Sequence, residues 1–160
     1  MQQYLDVIRR VLESGQRKAN RTGVDTLSTF NVNYQIDLRE GFPLLTTKEI
    51  SWKNIVVENL WFLSGDTRID LLRKHGCKFW EPWADDNGLV PSAYGNFWRN
   101  FPVHENGQAA FNDQIRYVVD ELKARPQSRR LVVSAWAPGN AQTSALPPCH
   151  AFWVMNVQQD

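Results

Sequence analysis

Tyr4, Leu5, Ile8, Val11 and Leu12 recur at the spacing of one helical face, which predicts an amphipathic helix over 3–14 with Gly15 placed to end it. Residues 18–25 are polar and read as a loop. From Phe30 the period changes to two: Phe30, Val32, Tyr34, Ile36 and Leu38 alternate with polar neighbours, the pattern of a half-buried strand closed by a turn at Gly41-Phe42-Pro43. Ser51 is placed to cap a helix over 52–63, where Trp52, Ile55, Val56, Val57, Leu60, Trp61, Phe62 and Leu63 cover most of the circumference and predict a central position.

A short helix follows Asp66-Thr67, carries Arg73, Lys74 and His75 in its last turn, where cations favour a C-terminus, and stops at Gly76. Residues 79–83 are an aromatic cluster locked by Pro82, residues 85–88 a turn, and residues 91–102 an irregular aromatic stretch. Residues 104–110 are polar and small, as in an exposed insertion. Asn112 is expected to cap a helix with Ile115, Val118, Val119 and Leu122 at helical spacing, ended by Pro126. Two apolar runs remain, a β-branched one over 131–136 and a nearly unbroken one over 150–157, which suits a strand covered on both faces. The expected architecture is one α/β domain of the α+β type over 1–160, a mixed central sheet flanked by helices.

Composition supports a packed core: 42% of the 160 residues are hydrophobic, with seven Trp and eight Phe. With 18 basic against 17 acidic side chains, no global field attracts nucleic acid or a membrane surface, so any anion site must be a local cluster. The two cysteines and three histidines form neither a disulfide framework nor a metal-ligand spacing, and Cys77, His75 and His104 read as structural or surface residues. No metal is expected. The N-terminus has no signal-like region, and no apolar run reaches the roughly 20 residues of a membrane span, so a reducing cytoplasm is the expected compartment.

Three places carry candidate chemistry. Pro147 and Pro148 hold a stiff extended lead into Cys149, which delivers a thiol to the mouth of the last strand; a lone cysteine can equally be an inert core residue. Arg129 and Arg130 open the strand at 131, and paired guanidinium forks suit a dianionic phosphate. Glu58 lies within the apolar helix, where an ionised carboxylate must be paired or wetted; it is either a structural partner or a proton-handling group beside a cavity.

These residues fall within a wider pattern. Arg21-Thr22-Gly23, Glu58-Asn59-Leu60-Trp61-Phe62-Leu63, Trp80, Tyr94-Gly95, Ser128-Arg129-Arg130 and Pro147-Pro148-Cys149-His150 stand in the order and spacing of the thymidylate synthases, which the chain resembles along nearly all its length. The resemblance implies reductive methylation of dUMP to dTMP with 5,10-methylenetetrahydrofolate as co-substrate. It makes Cys149 the nucleophile that adds to the pyrimidine, Glu58 a carboxylate acting through water, and Tyr94 a residue that moves or orients a proton near it. Arg21, Arg129, Arg130 and His150 would bind dUMP, and Lys48, Ser51, Trp80 and Trp83 the folate. Ser51 stands where the family commonly has a basic residue, and Lys48 is placed to share that duty.

A free thiol ionises only above about pH 8.5, so a thiolate nucleophile calls for positive charge such as Arg130. The resemblance also implies a homodimer in which Arg129 and Arg130 reach the partner's phosphate site. Relative to the family a long C-terminal portion is missing, including the base-reading asparagine, which points to a fragment of a longer enzyme and to an apolar strand left unpaired on one edge. Two rivals stand beside this assignment: a pyrimidine-nucleotide hydroxymethylase of the same superfamily, in which water completes the reaction, and a non-catalytic nucleotide-binding or interaction module.

Overall fold

The computed structural model describes residues 1–142 and 144–158, and the chain divides into two compact units, Met1–Ile50 and Ser51–Asp160. In the first, the periodic segment forms α1 (Gln2–Ser14), ended where the Gly15 N–H donates to the Val11 carbonyl at 2.9 Å. No α1 residue is buried. The polar loop expected at 18–25 turns out to join β1 (Gln16–Lys18) to β2 (Thr26–Ser28), an antiparallel pair with Arg17 opposite Leu27. Its turn is held by Asn20, whose Oδ1 accepts from the Thr22 N–H at 2.8 Å.

The strand expected over 30–38 is not made. Residues 31–37 join no ladder, Phe30 is 94% exposed, and a short 3-10 turn occupies Leu38–Glu40. Alternation creates a face but does not supply a neighbouring edge, and Asn31 at φ 58 breaks the extended backbone as the segment begins.

In the second unit Ser51 caps α2 (Trp52–Ser64), its Oγ accepting from the Asn54 N–H at 3.4 Å, and Gly65 ends the helix at φ 79, a left-handed conformation that favours glycine. Then come α3 (Asp70–Lys74), a 3-10 turn (Glu81–Trp83), α4 (Tyr94–Arg99), the hairpin of β3 (Phe101–Glu105) and β4 (Gln108–Asn112), α5 (Gln114–Ala124), β5 (Val132–Ser134), α6 (Pro138–Ala141) and β6 (Phe152–Val154). The cap of α5 is Asp113 rather than Asn112: its carboxylate accepts from the Arg116 N–H at 2.9 Å. The expected insertion at 104–110 is the exposed tip of the β3/β4 hairpin, turning at Asn106-Gly107 with φ 52 and 80.

The α/β class follows the pattern, but among the described residues the strands form three separate antiparallel pairs rather than one central sheet. The last pair also corrects the expectation of a strand covered on both faces. Trp153 and Val133 face the core, whereas Val132, Phe152 and Val154 share the opposite face and are 40, 65 and 59% exposed. An unbroken apolar run marks both faces for burial, and here only one is covered by this chain.

The core of this unit is aromatic. Phe62 of α2 sits edge-on to Trp80, Tyr94 and Trp98 at 5.8, 4.9 and 5.7 Å. Buried Gln114 ties three elements together, its Nε2 donating to the Phe97 and Ser134 carbonyls at 2.8 and 2.7 Å and its Oε1 accepting from the Ser134 N–H at 2.9 Å. Gly95 lets α4 lie directly on α2: a Cβ there would stand 2.8 Å from the Phe62 carbonyl oxygen and 3.2 Å from the Gly65 Cα. Gly95→Ala is therefore expected to destabilise the protein by about 1–3 kcal/mol, read as a lower urea midpoint at unchanged slope, because backbone and not a flexible side chain must give way.

Candidate active site

Glu58 leaves the middle of α2 half-buried, and its burial is compensated by an indole: Trp80 Nε1 donates to Glu58 Oε1 at 2.6 Å. Trp80 is itself buried and wedged against Trp61 at 5.4 Å and Tyr94 at 6.1 Å. The partner that the sequence demanded for this carboxylate is thus a neutral donor on a rigid ring. Its presence was legible only as a need, since 22 residues separate the two.

Tyr94 opens α4 with its ring buried and its hydroxyl turned to the segment before β6. The hydroxyl oxygen accepts two backbone hydrogen bonds, from the Cys149 N–H at 2.7 Å and from the His150 N–H at 3.1 Å. The His150 ring stacks on the Tyr94 ring, with centroids 5.0 Å apart and planes at 24°. Pro148 is buried, Cys149 is exposed, and the thiol makes a long hydrogen bond, 3.9 Å, to the Pro147 carbonyl. A stiff lead and a clamp behind its backbone hold an accessible sulfur in place. Burial pushes the Tyr94 phenol above its usual ionisation range, and the His150 and Cys149 N–H donors only partly pull it back. The phenol is neutral at physiological pH.

Five expected site residues, Glu58, Trp80, Tyr94, Cys149 and His150, therefore form one connected group. Trp80 enters it as the donor that orients Glu58, with its ring buried. Trp83 lines a separate cavity of about 270 Å³ with Pro91, Ser92, Phe97, Asn140, Ser144 and Ala145. The Ser51 hydroxyl serves the α2 cap, and Arg21 and Lys48 are exposed residues of the first unit.

Arg129 and Arg130 lie elsewhere. With residues 125–128 they line an open cleft of about 670 Å³, where Arg125 pairs with Glu121, while neither Arg129 nor Arg130 makes an ion pair among the described residues. The short β5/β6 ladder separates them from the thiol in order: Val132 pairs with Val154 and Ser134 with Phe152, so Arg130 comes just before one end of the ladder and Cys149 just before the other.

Gln114 was not anticipated as the joint between α4 and β5. Its signal was a polar residue four positions before Val118 on the apolar face of α5. Among the described residues no group of three or more His, Cys, Asp or Glu is arranged to hold a metal, and no helix is long and apolar enough to cross a membrane.

Comparison with known proteins places these residues in context. The family model described as thymidylate synthase matches residues 2–160. A thymidylate synthase of Haloferax volcanii is 46% identical over 173 residues, an alignment that takes in 97% of this chain and 50% of the relative. The chain spans about half the length of the curated relative it matches.

Proposed function

Because the chain belongs to the thymidylate synthase family, we propose that it carries the nucleophile and the proton-handling wall of an enzyme that methylates dUMP to dTMP with methylenetetrahydrofolate. The observation that supports this most is the accessible Cys149 thiol, delivered by Pro147-Pro148, clamped from behind by Tyr94 and grouped with the Glu58 carboxylate. A uracil ring is a poor carbon nucleophile. Addition of the Cys149 sulfur to C6 sends an electron pair to the ring carbonyl as an enolate, and C5 can then attack a one-carbon unit. The folate supplies that carbon; loss of the C5 proton expels the folate amine and leaves an exocyclic methylene, and hydride from the released tetrahydrofolate reduces it to methyl as the Cys149 sulfur leaves C6, giving dTMP and dihydrofolate. Glu58, fixed by Trp80, orders water for the proton transfers around the ring, and His150 contributes hydrogen bonds to the nucleotide side.

Trp83 is assigned to the folate, beside a cavity of about 270 Å³ that suits a flat fused ring better than a whole folate. Arg21 is assigned to the phosphate and Lys48 and Ser51 to the folate, from the family resemblance. Arg129 and Arg130 are assigned to a second copy of the chain: they stand at the far end of the ladder from their own thiol, and the exposed face of Val132, Phe152 and Val154 is apolar enough to be covered by its two-fold mate. The free thiols fit a reducing cytoplasm, and the 160 residues then form one domain of the assembled enzyme.

The test is product analysis with dUMP and methylenetetrahydrofolate. Equal amounts of dTMP and dihydrofolate are expected. Tetrahydrofolate with a hydroxymethylated nucleotide would move the assignment to the hydroxymethylase, and neither product nor dUMP binding by calorimetry would contradict both.

A further inference from the structure

The Tyr94 hydroxyl is aimed at the reacting segment, yet its oxygen is already in use. Two backbone N–H groups, of Cys149 at 2.7 Å and His150 at 3.1 Å, donate to it, which saturates the acceptor capacity of a phenol. A group that takes a proton from a substrate needs a lone pair free to receive it, so what remains to this hydroxyl is its own O–H. The ring is equally constrained, edge-on to Phe62 at 4.9 Å and stacked on His150 at 5.0 Å, and cannot swing to free the oxygen.

We propose that Tyr94 is a positioning residue: its hydroxyl clamps the backbone of Cys149 and His150 to the aromatic core and so fixes the thiol, and toward the substrate it acts only as a donor, never as a base. The strands themselves do not supply this fixation. β6 begins at Phe152, and the nearest ladder bonds, from the Ala135 and Trp136 N–H groups, reach only as far as the Ala151 carbonyl. Between Ala145 and His150 the segment has two prolines without donors, so next to the thiol the Cys149 and His150 N–H groups are the backbone donors by which it is held. Both are held by one oxygen, 55 and 56 residues away in sequence. A single substitution therefore releases both at once.

The inference rests on Cys149 being the reacting group, as proposed above, but its first test needs no turnover. In the unaltered protein the Cys149 and His150 amides should exchange with solvent at least about tenfold more slowly than their intrinsic rates. In Tyr94→Phe, which keeps the ring, both should exchange about tenfold faster or more, with the amide of Met155, bonded to the Leu131 carbonyl at 2.9 Å, unchanged. Phe62→Leu disturbs the ring's packing and leaves the hydroxyl, and should move neither amide by more than about threefold.

In the native enzyme Tyr94→Phe should lower kcat about 10- to 100-fold with the KM for dUMP within about threefold, the split expected of a displaced nucleophile. Unprotected amides in the unaltered protein, unchanged exchange in Tyr94→Phe, or equal acceleration in Phe62→Leu would each overturn the clamp. Loss of turnover in the unaltered enzyme, with the clamp intact by exchange, would count against the proposed reaction and not against this inference.

Discussion

Replacing Cys149 with alanine is expected to abolish methylation in the native polypeptide, by about four orders of magnitude or more, and to leave dUMP affinity within a few-fold. The two effects separate because the proposed reaction gives the thiol the covalent step, whereas it assigns the phosphate to Arg21 and to Arg129 and Arg130 of a second copy. Within these 160 residues no other thiol is placed to substitute. Cys77, the second free cysteine, is 1% exposed and part of the packed core. The substitution should also be structurally quiet, since Cys149 is exposed, its thiol bond to the Pro147 carbonyl is long at 3.9 Å, and the clamp acts on the Cys149 backbone, which alanine retains. Rates of dTMP formation, dUMP calorimetry and a melting curve on the same preparation check all three statements, and methylation persisting in the variant would remove Cys149 from the mechanism.

Trp61→Ala is expected to cost the Ser51–Asp160 unit about 3–5 kcal/mol, the usual loss for deleting a buried indole. Trp61 is fully buried, lies 5.4 Å from both Phe62 and Trp80, and donates its Nε1 to the Arg68 carbonyl at 2.7 Å. Truncation removes ring contacts from both neighbours and leaves that carbonyl without its donor. The damage reaches the site, because Trp80 is the residue that orients Glu58. Urea unfolding should show a lower midpoint at an unchanged slope; a midpoint within error of the unaltered protein would mean that the aromatic cluster does not hold this unit together.

The helices were the most legible part of the chain. α1 and α5 each carry an apolar period of 3.6, α2 is apolar around most of its circumference, and α2 and α5 begin where a short polar side chain can accept from the first turn, so their positions followed to within a residue or two. The strands were harder. Period-two alternation over 30–38 gave no strand, because nothing in the segment itself provides an edge to pair with. The β3/β4 hairpin was passed over although Asn106-Gly107, the strongest short hairpin signal, stood in the middle of it.

The candidate site divided in the same way. Residue types were readable: a thiol after two prolines, a carboxylate in an apolar helix, paired arginines. Their distances were not. That Trp80 answers Glu58, that Tyr94 reaches across 55 residues to the thiol's own amide, and that the arginines and the thiol fall at opposite ends of one ladder depend on packing and on the β5/β6 register. None of these leaves a periodic trace in the sequence.

The central claim is that the Cys149 sulfur bonds to the pyrimidine during turnover. The most direct measurement is mass spectrometry of peptides from acid-quenched protein that has been mixed with dUMP and methylenetetrahydrofolate. A nucleotide adduct on the peptide carrying Cys149, and none on the peptide carrying Cys77, is the expected result. Steady formation of dTMP with the Cys149 peptide unmodified at every quench time, or an adduct on Cys77 instead, would contradict it.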